Sequence, residues 1–375
     1  MSKRHFPGET IGIIGSSITS ALLAQTAGAL GYRVASLVTA EENPVRQFAS
    51  WQTLTESYNL QALTFFAERV DLVATEVGIL TNADLQLLAS LTDLTLSDNL
   101  MAMTTDRLIE KSYLDSRRCL VPPFSLVTTL PDVTEAVESI GFPAVLKSSQ
   151  RHVEGADDHV MLYSEEDYPA AEEKLNQGAC ILEAWIPAET TASLTILRNE
   201  RGEILIYPAF EVVDLASGRQ RYQYPIEVED AVTAEMNRLA QLVAESLDLR
   251  GSLTLSFLVT SANVVYITSL SIGLGEEAMF TLGSMSLSQF EGASRAMMGL
   301  PLPELELTYP AAIAYPIEDL NQEAVLTQYM LRTDWAFALF NPIGNPTEQL
   351  TGFVTVTGKS IDDCLLQVDV TDITK

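Results

Sequence analysis

The chain has 375 residues, 47% of them hydrophobic and 19% charged, with 50 acidic against 22 basic side chains and a formal net charge of −28. Such a chain folds around more than one hydrophobic core, which excludes a disordered segment and a single small domain. The acidity argues against nucleic acid and anionic membranes as partners, and against any anionic ligand unless local lysines and arginines override the global field.

In chain order, residues 9–38 (ETIGIIGSSITSALLAQTAGALGYRVASLV) predict a buried strand, a tight turn, a helix ending at Gly31 and a second strand. This is a βαβ opening of the nucleotide-binding kind, and VDLVATE (Val70–Glu76) predicts a later parallel strand of the same unit. No apolar signal-peptide core precedes the first strand, so a leader is not expected. TTDRLIEKSYLDS (residues 104–116) predicts a helix with charge-rich faces, and Pro122 and Pro123 mark an extended segment after it. FPAVLKSS and ACILEAWIP predict buried strands separated by the helical SEEDYPAAEEKLNQ. ASLTILRNERGEILIYPAFEVV predicts a hairpin turning at NERG, and residues 230–249 predict a long amphipathic helix. After MMGLPLPE a last segment with several strands closes the chain.

One stretch is out of character. From Gly251 to Gly275 there is no charged residue, with Arg250 just before and Glu276 just after. A membrane span needs ~20 apolar residues, but Ser, Thr and Asn recur through this run and TSAN interrupts it. β-branched residues on both sides of TSAN predict a hairpin buried on both faces.

Chemistry-bearing clusters are few. Cys119, Cys180 and Cys364 are far apart, which favours a reducing compartment. His5, His152 and His159 have no zinc-ligand spacing, and neither a nucleophile elbow nor a Cys–His pair is visible. The basic cluster Ser116–Arg118 and the acidic stretch Glu227–Asp230 read as solvated surface.

The stretches IGIIG…LGYRV, TTDRLIEKSYL, FPAVLKSS, CILEAWIPAE, YPAFE, GSLTLSFLVT, MMGLPLP and TGFVTVTG, in this order, resemble the ATP-grasp superfamily and within it the carboxyaminoimidazole ribonucleotide synthetases. The resemblance implies a three-domain α/β architecture: an N-terminal Rossmann-like (pre-ATP-grasp) domain over residues 1–100, a two-lobed ATP-grasp domain over 101–300, and a small β-rich C-terminal domain over 301–375. It also implies ATP between the lobes, with Arg107 and Lys147 on phosphate, Glu183 at the adenosine, and Ala184, Trp185 and Ile186 lining the adenine slot. From the residues alone, Arg107 and Lys147 read better as solvated surface; the family resemblance brings the two readings level.

Other positions depart from the family pattern. Its glycine-rich phosphate loop is here RHVEGADDHV, in which Gly155 stays but Ala156 replaces the basic residue and Asp157 and Asp158 add negative charge. Carboxylates facing a triphosphate repel it. The glutamate and the Asn-Glu pair that hold magnesium in the family are Ser256, Thr268 and Ser269 here, and neutral hydroxyls do not replace anionic oxygens around a hard dication. Substrate-binding positions have changed as well: Ile18 and Ala21 near the start, Gly78 and Ile79 after a retained Glu76, Thr191, Asp214, Ile272–Met279, and Phe340, Asn341, Pro342, Gln349 and Leu350. The expectation is therefore a family member without catalytic or metal-ligating residues, holding ATP weakly or vestigially and without magnesium. The alternatives are an active ligase and a magnesium-independent nucleotide sensor. A cytoplasmic homodimer, with a protein partner in purine metabolism, completes the expectation.

Overall fold

The computed structural model describes residues 4–152, 159–273, 275–340 and 350–374. Gly155, Ala156, Asp157, Asp158, Leu274, Asn341, Pro342 and Gln349 lie outside the described residues. Three sheets organise the rest, giving the mixed α/β fold expected.

The first sheet is parallel, with β1 (Thr10–Ile14), β2 (Arg33–Val38), β3 (Trp51–Leu54), β4 (Leu72–Thr75) and β5 (Asp93–Leu94) in the order β3-β2-β1-β4-β5. Alternation along β1 sends Ile11 and Ile13 to one face, into a core shared with Leu22, Leu23 and Ala24 of helix α1 (Ile18–Ala29). Ile14 goes to the other face, with Leu63 and Phe66 of α2 (Leu60–Ala67) and Leu85 and Leu88 of α3 (Asn82–Leu91). Both faces are covered, so the strands read as nearly continuous apolar runs. Strand order reverses between β1 and β4, which opens a crevice at their C-terminal ends. A further helix, α4 (Asp98–Thr105), runs across the boundary drawn at residue 100.

The second sheet is antiparallel: β6 (Phe124–Val127), β7 (Ala144–Ser148), β8 (His159–Leu162) and β9 (Cys180–Ala184), ordered β6-β9-β7-β8. The sequence predicts only helix between β7 and β9; β8 is additional. It is a four-residue edge strand with one buried side chain, Leu162, so it has no alternation to detect.

The third sheet has nine strands: β10 (Thr190–Arg198), β11 (Ile204–Ile206), β12 (Phe210–Asp214), β13 (Gln220–Tyr224), β14 (Gly251–Val259), β15 (Val265–Ile272), β16 (Ala311–Pro316), β17 (Ala336–Phe340) and β18 (Thr351–Gly358). β16 pairs with β13, so the C-terminal strands extend the same sheet, and two helices, Gln322–Leu331 and Ile361–Thr371, accompany them.

The charge-free run is the β14–β15 hairpin, and its position explains the missing charges. β14 lies between β10 and β15. Leu253, Leu255 and Phe257 pack beneath the helix Asp230–Ser246 with Met236, Leu239 and Val243. The alternate residues form a hydroxyl ladder with β10: Thr254 with Thr195 at 3.1 Å, and Ser256 accepting from Ser193 at 3.4 Å. Small hydroxyls satisfy one another where an unpaired charge would cost several kcal/mol. No helix among the described residues is long and apolar enough to cross a membrane.

A partly buried ionic strut joins the N-terminal sheet to this hairpin. His5 donates from Nδ1 to Glu9 (2.6 Å) and from Nε2 to Asp93 (2.7 Å), while Arg250 bonds Asp93 (2.7 Å) and the Leu94 carbonyl (3.0 Å). Burial disfavours the imidazolium, but the two carboxylates outweigh it and raise the His5 pKa above the ordinary 6.5. Asp93, despite burial, is held at about 2 by His5 and Arg250. A histidine raised on folding stabilises below its unfolded value and loses that contribution as pH rises through its folded value. Urea denaturation across neutral pH is therefore expected to show stability falling with rising pH. His5→Gln should lose roughly 1.5–3 kcal/mol on the acid side and flatten that slope.

Candidate functional site

Helix α5 (Arg107–Ser116) is stitched to the end of β7, and this junction builds the site. Asp106 caps α5 by accepting from the Leu108 N–H (2.8 Å) and also accepts from the Ser149 hydroxyl (2.8 Å). The Arg107 N–H bonds the Ser149 carbonyl (2.9 Å), and its guanidinium bonds the Ser148 carbonyl (2.9 Å). One turn on, Glu110 and Lys111 are buried and meet the hairpin. Glu110 accepts from the Leu270 N–H at 2.7 Å, and Lys111 Nζ donates to the Thr268 carbonyl at 2.6 Å. The register of β14 and β15 shifts between Ser256 and Phe257, which leaves Thr268 opposite no partner residue and frees its carbonyl for Lys111.

These elements enclose a cavity of about 220 Å³. Its cations are Arg107, Lys111, Lys147 and Arg151; its carboxylates are Glu110 and Glu183. Glu183 on β9 lies between two ammonium groups, Lys111 at 3.3 Å and Lys147 at 3.2 Å. Glu110 is ion-paired with Arg151. Burial would push the Glu183 carboxyl up, but Lys111 and Lys147 overcome it and hold the group below the usual carboxylate value. Burial presses Lys111 below the ordinary lysine value against the pull of Glu183 and Glu110.

Of the residues singled out in the sequence, Arg107, Lys147 and Glu183 meet at this cavity, so the two cations are not simple surface residues. Ala184, Trp185 and Ile186 follow on the same chain segment just beyond it. The Ala184 and Trp185 N–H groups are bonded to the carbonyls of Pro123 (2.8 Å) and Pro143 (3.0 Å), and the indole is half exposed. Sequence reasoning missed Glu110, Lys111 and Arg151. The first two stand three and four residues after Arg107 on one helical face, a spacing that could have found them; nothing in the sequence points to Arg151.

The positions at which hydroxyls replace the family's magnesium ligands are also at hand. Ser256 and Ser269 are cross-strand partners, and the Thr268 hydroxyl donates to the Ser256 carbonyl at 3.2 Å. Among the described residues there is no group of three or more His, Cys, Asp or Glu able to hold a metal ion. This donor set of hydroxyls beside a lysine does not fit a hard dication. Elsewhere, Asp214 is exposed and bonded to Gln220, and the Ser116–Arg118 and Glu227–Asp230 clusters sit largely at the surface.

The sequence profile of the ribonucleotide synthetase preATP-grasp domain matches residues 8–104, and that of the ATP-grasp domain matches residues 112–290. This is an ATP-grasp protein. N5-carboxyaminoimidazole ribonucleotide synthase of Bacillus subtilis (strain 168) is 29% identical over 320 residues, covering 85% of this chain and 84% of its own. A crystal structure of the ADP complex of an N5-carboxyaminoimidazole ribonucleotide synthetase superposes with a TM-score of 0.89 at 26% identity, covering 99% of this chain and 98% of that one. The Staphylococcus aureus synthetase complexed with ADP, at 22% identity and a TM-score of 0.87 over 99% and 98% of the two chains, shares the fold.

The ATP-grasp cleft thus rests on one buried carboxylate held by two lysines. Lys111→Met strips Glu183 of its fully buried partner and is expected to cost about 3 kcal/mol in urea denaturation. Lys147→Met, whose ammonium is partly exposed, is expected to cost clearly less.

Proposed function

We propose that this chain is a carboxyaminoimidazole ribonucleotide synthase relative that has given up the ligase reaction and retains a nucleotide-binding cleft working without magnesium. The observation that carries this reading is the lysine-backed hydroxyl set at Ser256, Thr268 and Ser269. Phosphoryl transfer from ATP needs dications to bridge the phosphates and absorb developing charge. Here the nearby carboxylates are already neutralised by Lys111, Lys147 and Arg151.

The same cations favour an anionic ligand. Four positive side chains face two carboxylates, so the cavity is locally basic within a chain of net charge −28. Lys147, the more exposed partner of Glu183, supplies a charge-assisted hydrogen bond to phosphate, and Arg107 lies beside it. The Ile186 N–H, with no backbone partner among the described residues, is the donor this reading assigns to an adenine ring nitrogen. ADP or ATP held in this way is a signal or a stabiliser, not a reactant. Buried, unbridged cysteines accord with a cytoplasmic setting, and the homodimer and the partner in purine metabolism that the family resemblance implies belong to the same reading.

Calorimetry with ATP in excess chelator should give the same affinity as with magnesium, and Lys147→Met should weaken it about tenfold, the loss of ~1.4 kcal/mol. With aminoimidazole ribonucleotide and bicarbonate, no ADP release above background is expected; turnover at the level of active synthases overturns the reading. Restoring carboxylates in Ser256→Glu/Ser269→Glu should make ATP binding magnesium-dependent.

A further inference from the structure

β6 is an edge strand of the second sheet, paired only with β9. The Ala184 N–H bonds the Pro123 carbonyl (2.8 Å), and the Trp185 N–H bonds the Pro143 carbonyl (3.0 Å). Backbone groups alternate in direction along a strand. β9 therefore turns those of Cys180 and Leu182 to β6, and those of Ile181 and Glu183 to β7. Their partners on β6 are Val127 and Ser125, so the N–H and C=O of Phe124 and Leu126 point away from β9. No backbone bond among the described residues reaches Leu126 from that outer side.

Helix α6 (Leu130–Ile140) runs beside this edge, and the two line an open groove of about 610 Å³. Val127 packs with Val133 and Ala136 of α6, so the helix covers the face to which Ser125 and Val127 point. Leu126 points to the opposite face and is nearly half exposed. The helix carries Asp132, Glu135 and Glu138 and no basic residue, and all three carboxylates line the groove. Asp132 is spent on capping, accepting from the N–H groups of Thr128 (2.8 Å) and Thr129 (2.9 Å). Glu135 and Glu138 are exposed, three residues apart on one side of the helix, with no hydrogen bond or ion pair among the described residues.

We propose that the β6 edge takes up an extended segment of a partner protein, added as an antiparallel strand in which basic and apolar residues alternate. Residues directly opposite one another on paired strands share a face. A guest residue opposite Leu126 exchanges both backbone bonds with it and lays its side chain on Leu126, a contact that suits an apolar group. The residues on either side of it turn toward α6, where lysine or arginine meets Glu135 and Glu138 in charge-assisted hydrogen bonds. Main-chain bonds supply affinity, and the alternation selects the partner. A second copy of this chain is the wrong occupant, because joining two β6 edges sets the carboxylates of two α6 helices against each other. Charge beside an edge strand is a common guard against such self-pairing. The groove shares no residue with the lysine cleft, so the inference is independent of the nucleotide reading.

The test is fluorescence anisotropy with dye-labelled peptides and the full chain, in about 0.15 M salt to screen the distant carboxylates. The peptide Val-Lys-Val-Lys-Val, blocked at both ends, is expected to bind saturably. The block sequence Val-Val-Val-Lys-Lys and the acidic Val-Glu-Val-Glu-Val are expected to bind at least ~10-fold more weakly. N-methylation of the valines, whose N–H groups face β6, should abolish binding, whereas N-methylation of the lysine backbone should leave it unchanged. Leu126→Pro removes a donor that the protein's own sheet does not use, so an edge strand tolerates it, and it should weaken the alternating peptide about tenfold. Glu135→Lys/Glu138→Lys should reverse the preference in favour of the acidic peptide. Three results overturn the proposal: no saturable binding of the alternating peptide below about 1 mM, equal binding of the alternating and block peptides, or indifference to methylation of the valines. Self-association of the unaltered chain that Leu126→Pro abolishes, seen by sedimentation, also overturns it and makes a second copy the occupant. If Leu126→Pro fails to fold, the methylated peptides decide the matter on the unaltered chain.

Discussion

Glu183 is a carboxylate with almost no access to water, and the cleft is arranged around keeping it charged. Its two lysines come from different parts of the chain: Lys111 from α5 and Lys147 from β7. Because Lys111 also bonds the Thr268 carbonyl, the same ammonium fixes the hairpin to the second sheet. Isolated, each of these groups would suffer a desolvation penalty of several kcal/mol. Together they tie three elements into one geometry, and Glu110, bonded to the Leu270 N–H and paired with Arg151, repeats the device one residue away.

Two fields of opposite sign act on anything entering this cleft. The chain as a whole repels anions, but exposed charges more than ~8 Å away are largely screened at physiological salt. Inside the cavity the charges are close and partly desolvated, so the local excess of cations decides affinity while the distant carboxylates chiefly slow approach. Acidity of the whole molecule and a basic cleft are therefore compatible.

The frame was legible in the sequence to the extent that it is written in periodic burial. β1, α1, β2 and β4 have unbroken apolar runs or helical spacing because they are covered on both sides. The charge-free run was legible as a hairpin for the same reason. β8 escaped because an edge strand with one buried residue has no pattern, and the continuity of β16 with β13 escaped because strand pairing across ninety residues leaves no local trace. The site was half legible. Arg107, Lys147 and Glu183 follow from the family frame, whereas the roles of Glu110 and Lys111 depend on backbone groups of Leu270 and Thr268, which no side-chain motif encodes.

The substitutions in the hairpin are mutually consistent in a way that random loss would not be. A metal site deprived of its ion leaves carboxylates to repel one another in a low-dielectric cleft, which raises their pKa and costs stability. Here the hydroxyls bond across the strands, Thr195 to Thr254 and Ser193 to Ser256. The two carboxylates that line the cleft, Glu110 and Glu183, each have a cation from the protein itself. Lys111, anchored on a hairpin carbonyl, thus pairs with Glu183 and ties the hairpin to the second sheet with one ammonium group.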